Sequence, residues 1–137
     1  MSAPSLTALD AAKAWARRWN AALELVHVQH PPVLSAWVGF DGMPTSVPPM
    51  TQETTRRIEK KLRKATGDFP AERLKLRIMH GWPPAALLDL ARPERADLLV
   101  MGTHGYSGLH RLLTGSAAEA VLQRARIPVL VVPERKS

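Results

Sequence analysis

Residues 96–102, ADLLVMG, form a nearly continuous apolar run closed by glycine. A strand with one wet face alternates apolar and polar residues. A run without that alternation suits a strand covered on both faces, as in a parallel sheet flanked by helices. Parallel strands cannot be joined by hairpins; each needs a long crossover, usually helical. The rest of the chain supplies these crossovers. Residues 6–19 read as a helix, with Leu9, Ala12, Ala16 and Trp19 on one stripe and Ala8, Ala11 and Trp15 beside it. Ser5, or Ser2 with Pro4 just inside, starts it, and Asn20 stops it. Trp15 and Trp19 lie four apart, so the spacing predicts that both bury area in the core.

Three further strands are predicted: ALELVHV (22–28), RLKLRIMHG (73–81) and IPVLVVP (127–133). The prolines of the last favour a sheet edge. Helices are predicted over 51–66, ending at Gly67 and Asp68, over 83–91, where prolines suit the first turn, and over 116–126. Strands and helices alternate, which predicts an α/β fold with a mostly parallel sheet and right-handed crossovers. A length of 137 residues predicts one domain, 1–137. Residues 29–50 hold five of the twelve prolines and form a connection of unusual length.

Composition narrows the function classes. The absence of cysteine excludes disulfides and thiolate metal sites. No run approaches the roughly 20 apolar residues that span a bilayer, and no signal peptide is recognisable. A cytoplasmic protein is the expectation. The net charge of +7 raises the question of anionic partners. Much of it sits in RRIEKKLRK, residues 56–64, where Ile58, Leu62 and Ala65 mark a narrow apolar stripe. The plain reading is a solvated outer face. A nucleic-acid surface is the sharper one, and two Phe, one Tyr and no recognisable binding motif give it little support.

The stretch MGTHGYSGLHRLLTGS, Met101 to Ser116, leaves one predicted strand and enters a predicted helix. Ligands of open α/β sheets bind at such strand ends. A helix N-terminus offers free N–H groups and about half a positive charge, which suits phosphate. Walker A is excluded because no lysine lies in 101–116, and the dinucleotide fingerprint because the spacing is Gly102-x2-Gly105-x2-Gly108.

What does match is Gly102-x2-Gly105-x9-Gly115-Ser116, the G-2x-G-9x-G-[ST] signature of the ATP-binding branch of the universal stress protein family. ADLLVMGTHGYSGLHRLLTGSAAEAVLQRARIPVLVVP resembles the C-terminal half of that family nearly throughout. SLTALDAAKAWARRWNAALELVHV looks like its first helix and second strand, and HGWPPAALLDLA like its third-strand exit and third helix. The resemblance is weakest over 29–72.

The resemblance implies a Rossmann-like parallel sheet sandwiched by helices, strand order 3-2-1-4-5. It also implies a homodimer through the last strand, here 127–133. ATP is the implied ligand, with Mg or Mn accompanying the nucleotide. Carried over, Gly102, Gly105, Gly115, Ser116 and Ala117 are the phosphate and ribose candidates. Met101 and Val28 are candidates for the nucleoside wall, and His104 lies where it could reach a phosphate. Each has a plainer reading. Ser116 with Glu119 is a capping box without any ligand. The glycines can simply make a turn, and His104 can be a solvated loop histidine. Metal binding by His27 and His30 lacks a third ligand, and no metal site is expected.

One element of the family is absent. Its members begin with a central strand, an apolar run ending in Asp and then Ser, and that Asp contacts adenine. This chain starts MSAPSLTALDAA, at about that Ser, with no room before Leu6 for a strand. Removing a central strand leaves a gap near 10 Å, since neighbours sit about 4.8 Å apart. Three accounts are open: a native start further upstream, which is preferred; closure of the halves, pairing 22–28 with 96–101; or a strand from another chain. The expectation is a nucleotide-binding regulator in stress response whose ATP site has lost its adenine half. No general base, metal-binding carboxylate cluster or arginine finger is committed to hydrolysis, so an enzyme is not expected, although slow turnover is compatible. The alternatives are a nucleotide-free interaction protein with a vestigial site, or a basic nucleic-acid-associated protein.

Overall fold

The computed structural model describes residues 3–29, 51–103 and 116–133. In chain order they form α1 (Ala3–Arg18), β1 (Leu23–Gln29), α2 (Gln52–Thr66), a 3-10 turn (Ala71–Arg73), β2 (Leu74–His80), α3 (Pro83–Leu90), β3 (Leu99–Gly102), α4 (Ser116–Arg124) and β4 (Val129–Val132). The predicted order of helices and strands is therefore observed. Local chemistry sets the ends. Asn20 takes a left-handed φ of 53°, and the Ala21 N–H returns to the Ala16 carbonyl at 2.8 Å, closing α1. Thr51 caps α2, its hydroxyl oxygen accepting the Thr54 N–H at 3.2 Å. Gly67, at φ 59°, ends that helix. Pro83 and Pro84 open α3, where no intrahelical N–H is owed.

The strands form two separate parallel pairs. β1 pairs with β2 from Leu23–Leu74 to Gln29–His80. β3 pairs with β4 from Leu99–Val129 to Gly102–Val132. No bridge joins the pairs among the described residues, so the pairing of 22–28 with 96–101 does not form. The apolar run 96–102 also overstates its strand, which begins only at Leu99. Apolar continuity marks burial, not the first rung of a ladder.

Helix α1 bridges the two pairs. It packs against β1 on one side and more closely against β3 than β4 on the other. Its N-terminus lies at Gly102, the C-terminal end of β3, and its C-terminus leads directly into β1. β1 and β3 thus both run opposite to α1. α1 packs with α2, and α3 with α4, giving two helical layers.

The core lies in the helices and their flanks. Ala8, Leu9, Ala16, Leu62, Phe69, Leu90, Ala91, Ala118 and Val121 are buried, and no described strand residue is. Leu99, Val100 and Met101 are half-buried, so the strand predicted to be covered on both faces is covered only in part. Trp15 and Trp19 correct a second expectation: they are 40% and 56% exposed. The small residues Ala8 and Ala16, with Leu9, form the buried face of α1. The tryptophans are carried to the flank of that stripe and pack against each other in a tilted pair, ring centroids 4.5 Å apart and planes inclined by 57°.

Candidate functional site

Strand direction decides which predicted residues meet. β1, β3 and β4 run the same way, and α4 runs back between β3 and β4. The C-terminal ends of β1 and β3 and the N-terminus of α4 therefore lie at one end of the molecule. Val28 stands near the end of β1, in register with Met79. Met101 and Gly102 close β3, in register with Val131 and Val132. Ser116 heads α4, followed by half-buried Ala117 and buried Ala118. Val28, Met101 and Gly102 are half-buried as well. His104, Gly105 and Gly115 lie outside the described residues, as does the side chain of Ser116, so its capping partner is not defined.

Gly102 has a role that the sequence does not reveal. A Cβ built on it would stand 2.8 Å from the Pro4 carbonyl oxygen and 2.9 Å from its carbon. Both are backbone atoms, so any side chain here must displace the start of α1. The first glycine of the motif is required by helix–strand packing whether or not a ligand is present. No sequence signal links Pro4 to Gly102, which lie 98 residues apart.

The remaining polar groups near this end are accounted for locally. His27 Nε2 and Gln29 Oε1 are 3.2 Å apart, and His80 is exposed at the end of β2. Among the described residues no group of three or more His, Asp or Glu could hold a metal. His30, the proposed partner of His27, lies outside them. No described helix is long and apolar enough to cross a membrane.

A second polar centre lies at the opposite end, where α1 and α2 finish. Arg17 Nη2 donates to Asp68 Oδ1 at 2.6 Å, and Arg73 Nη1 donates to Asn20 Oδ1 at 2.6 Å. Both guanidiniums lie over the buried Phe69 ring, 5.8 and 5.5 Å from its centroid. The Arg17 hydrogen bond, then its charge, holds the Asp68 carboxyl below the usual carboxylate value. The centre ties α1 to the link between α2 and β2, and its role is structural.

The geometry described is that of a parallel α/β scaffold with two strand C-termini and a helix N-terminus at one end, and the comparisons say whose scaffold it is. The profile of the universal stress protein family matches residues 1–133. The chain belongs to the universal stress protein family. It is 36% identical over 139 aligned positions to universal stress protein A homolog 1 of Coxiella burnetii, covering 96% of this chain and 90% of that protein. It is 33% identical to universal stress protein MJ0531 of Methanocaldococcus jannaschii over 71% of this chain, a match that spans only 59% of that relative. Among solved structures it resembles a universal stress protein in complex with cAMP, with TM-score 0.67, 28% identity, and coverage of 98% of this chain and 90% of the other. UspA of Lactobacillus plantarum gives TM-score 0.70 at 25% identity, over 91% and 86% of the two chains.

Proposed function

We propose that this universal stress protein is a nucleotide-responsive regulator that holds the phosphates and ribose of ATP where β1, β3 and α4 converge. The observation that carries the reading is that convergence of two strand C-termini and one helix N-terminus at the same end. Free N–H groups and the positive pole of α4 favour an anion there. Gly105, Gly115, Ser116 and Ala117 would line the phosphates and ribose, with His104 within reach, and Val28 and Met101 would wall the nucleoside. The cAMP complex of a relative supports a nucleotide as the ligand class. Mg or Mn would arrive with the nucleotide. No residue is assigned a catalytic role.

The same proposal takes the whole chain as one domain of strand order 3-2-1-4-5, with the position of strand 1 between β1 and β3. β4 is proposed as the seam of a homodimer through residues 127–133: it ends its pair and its residues Val129–Val132 are half-buried. A cytoplasmic stress-response setting belongs to the proposal too. Gly102 favours the second reading, a nucleotide-free interaction protein, in one respect: packing alone accounts for that glycine.

Isothermal titration of residues 1–137 with ATP, ADP and cAMP decides between them. The proposal expects ATP binding that Gly105→Val with Ser116→Ala abolishes without a change in fold. Absence of binding for all three nucleotides at millimolar concentration would favour the nucleotide-free reading.

A further inference from the structure

The heads of α3 and α4 differ in chemistry. Both helices return antiparallel to the strands they follow and pack side by side, so their N-termini are neighbours at the end where β1 and β3 finish. α4 opens on Ser116, Ala117, Ala118 and Glu119, whose N–H groups precede the first intrahelical bond. α3 opens on Pro83 and Pro84, which have no N–H to offer. Trp82 stands before them and makes no side-chain capping bond. Its indole is 60% exposed, the most exposed large apolar side chain among the described residues. The backbone beneath it is fixed. The Gly81 N–H donates to the Gln29 carbonyl at 3.2 Å, which carries the β1–β2 ladder one step past His80. Pro83 restricts Trp82 to the extended conformation it adopts, φ −77° and ψ 118°. The first turn of α3 closes on the Trp82 carbonyl, which accepts the Ala86 N–H at 3.1 Å. α3 also packs on β1, so Trp82 is held at the end of the strand that carries Val28.

We propose that Trp82 stacks on the base of the bound nucleotide and closes the nucleoside end of the site that Val28 and Met101 wall. The two helix heads then divide the ligand by chemistry. The donor-rich head of α4 suits the phosphates, and the donor-poor, aromatic head of α3 suits an uncharged planar ring. An indole face offers a base a stacking partner without demanding a hydrogen bond. It therefore favours a ligand that keeps its aromatic base over a bare phosphate, and it tolerates any base. A side chain whose backbone is fixed before binding also loses less entropy when the ligand arrives. This role of Trp82 rests on the nucleotide reading above and narrows its ligand to nucleotides with an accessible base face.

Titration of the full chain with ATP, by calorimetry and by indole fluorescence, tests it. Trp82→Ala is expected to weaken ATP binding about tenfold or more, whereas Trp82→Phe, which keeps a ring, stays within about threefold of the unsubstituted chain. ATP is expected to quench the emission of the unsubstituted chain and not that of Trp82→Phe. Trp15 and Trp19 do not report on this site, because they lie in the C-terminal part of α1, towards the opposite end of the molecule. Equal ATP affinity in Trp82→Ala and the unsubstituted chain overturns the proposal and leaves the nucleotide reading standing. So does an equal loss in the alanine and phenylalanine variants, or quenching that persists in Trp82→Phe. Should the alanine variant not fold, the quenching comparison decides alone. No ATP binding by the unsubstituted chain overturns the nucleotide reading and this role of Trp82 together.

Discussion

The two strand pairs of this molecule are stabilised differently. The β1–β2 pair is seven residues long and carries its own cross-strand electrostatics: Glu24 accepts from Arg77, and Lys75 lies 4.0 Å from the same oxygen. α2 covers β2, with Leu62 as its deepest residue, and the Arg17–Asp68 pair and Phe69 anchor the adjoining turn. The β3–β4 pair is four residues long and apolar, with no cross-strand ion pair among the described residues. It depends on close helix contact, of α1 through Pro4 and Gly102. The difference teaches a division of labour. The longer pair resembles a self-supporting half, whereas the shorter one, which bears the candidate site, is held mainly by what packs against it.

The largest expected effect breaks the longer half. Leu62 is 2% exposed, so Leu62→Ala should cost about 2–5 kcal/mol in denaturant unfolding. Hydrogen exchange on this variant should show 23–29 and 74–80 loosened before 99–102. Uniform loosening would mean that the halves unfold as one unit.

Gly102→Ala strikes the shorter half. The 2.8 Å approach to Pro4 predicts a loss of roughly 1–3 kcal/mol, read as a fall in Tm without any nucleotide present. An unchanged Tm would return Gly102 to a purely ligand-directed role.

A smaller effect concerns the bond between α1 and the α2–β2 turn. Asp68 has a folded pKa depressed mainly by its Arg17 hydrogen bond. Its stabilisation is therefore present above the unfolded value, about 3.9, and is lost as pH falls through the lower folded value. Asp68→Asn should lower stability modestly at neutral pH and converge with the unsubstituted protein in acid, flattening the acid limb of the stability profile. A steep acid limb in the variant would assign the effect to other carboxylates. Smallest of all is Glu24→Gln, expected to cost under about 1 kcal/mol, and less in high salt.

Much of this scaffold was legible because its signals are local. Asn20, Gly67 and Pro83 stop or start helices through their own backbone preferences, and the stripe Ile58, Leu62, Ala65 is visible at helical spacing. What escaped were relations across the chain. Trp15 and Trp19 share a face with each other, but spacing does not say that the alanines beside them take the buried positions. The close approach of Pro4 to Gly102, and the joining of Asn20 and Arg73, depend on how distant elements dock. For the site, the motif spacing identified the family, whereas the grouping of the strands into two pairs became visible only in the ladders.

The central proposal is that β1 and β3 are parallel inner strands separated by one strand's width. Because the chain lacks cysteine, paired cysteines test this cleanly. Val26→Cys can be combined with Val100→Cys, and separately with Met101→Cys, to sample both faces of β3. A disulfide needs Cα atoms within about 7 Å, whereas strands one position removed lie near 10 Å. The account predicts no disulfide under mild oxidation in either pair, and efficient joining by a bifunctional maleimide with a longer span. Rapid, near-complete disulfide formation would show the two strands to be direct neighbours and would contradict it.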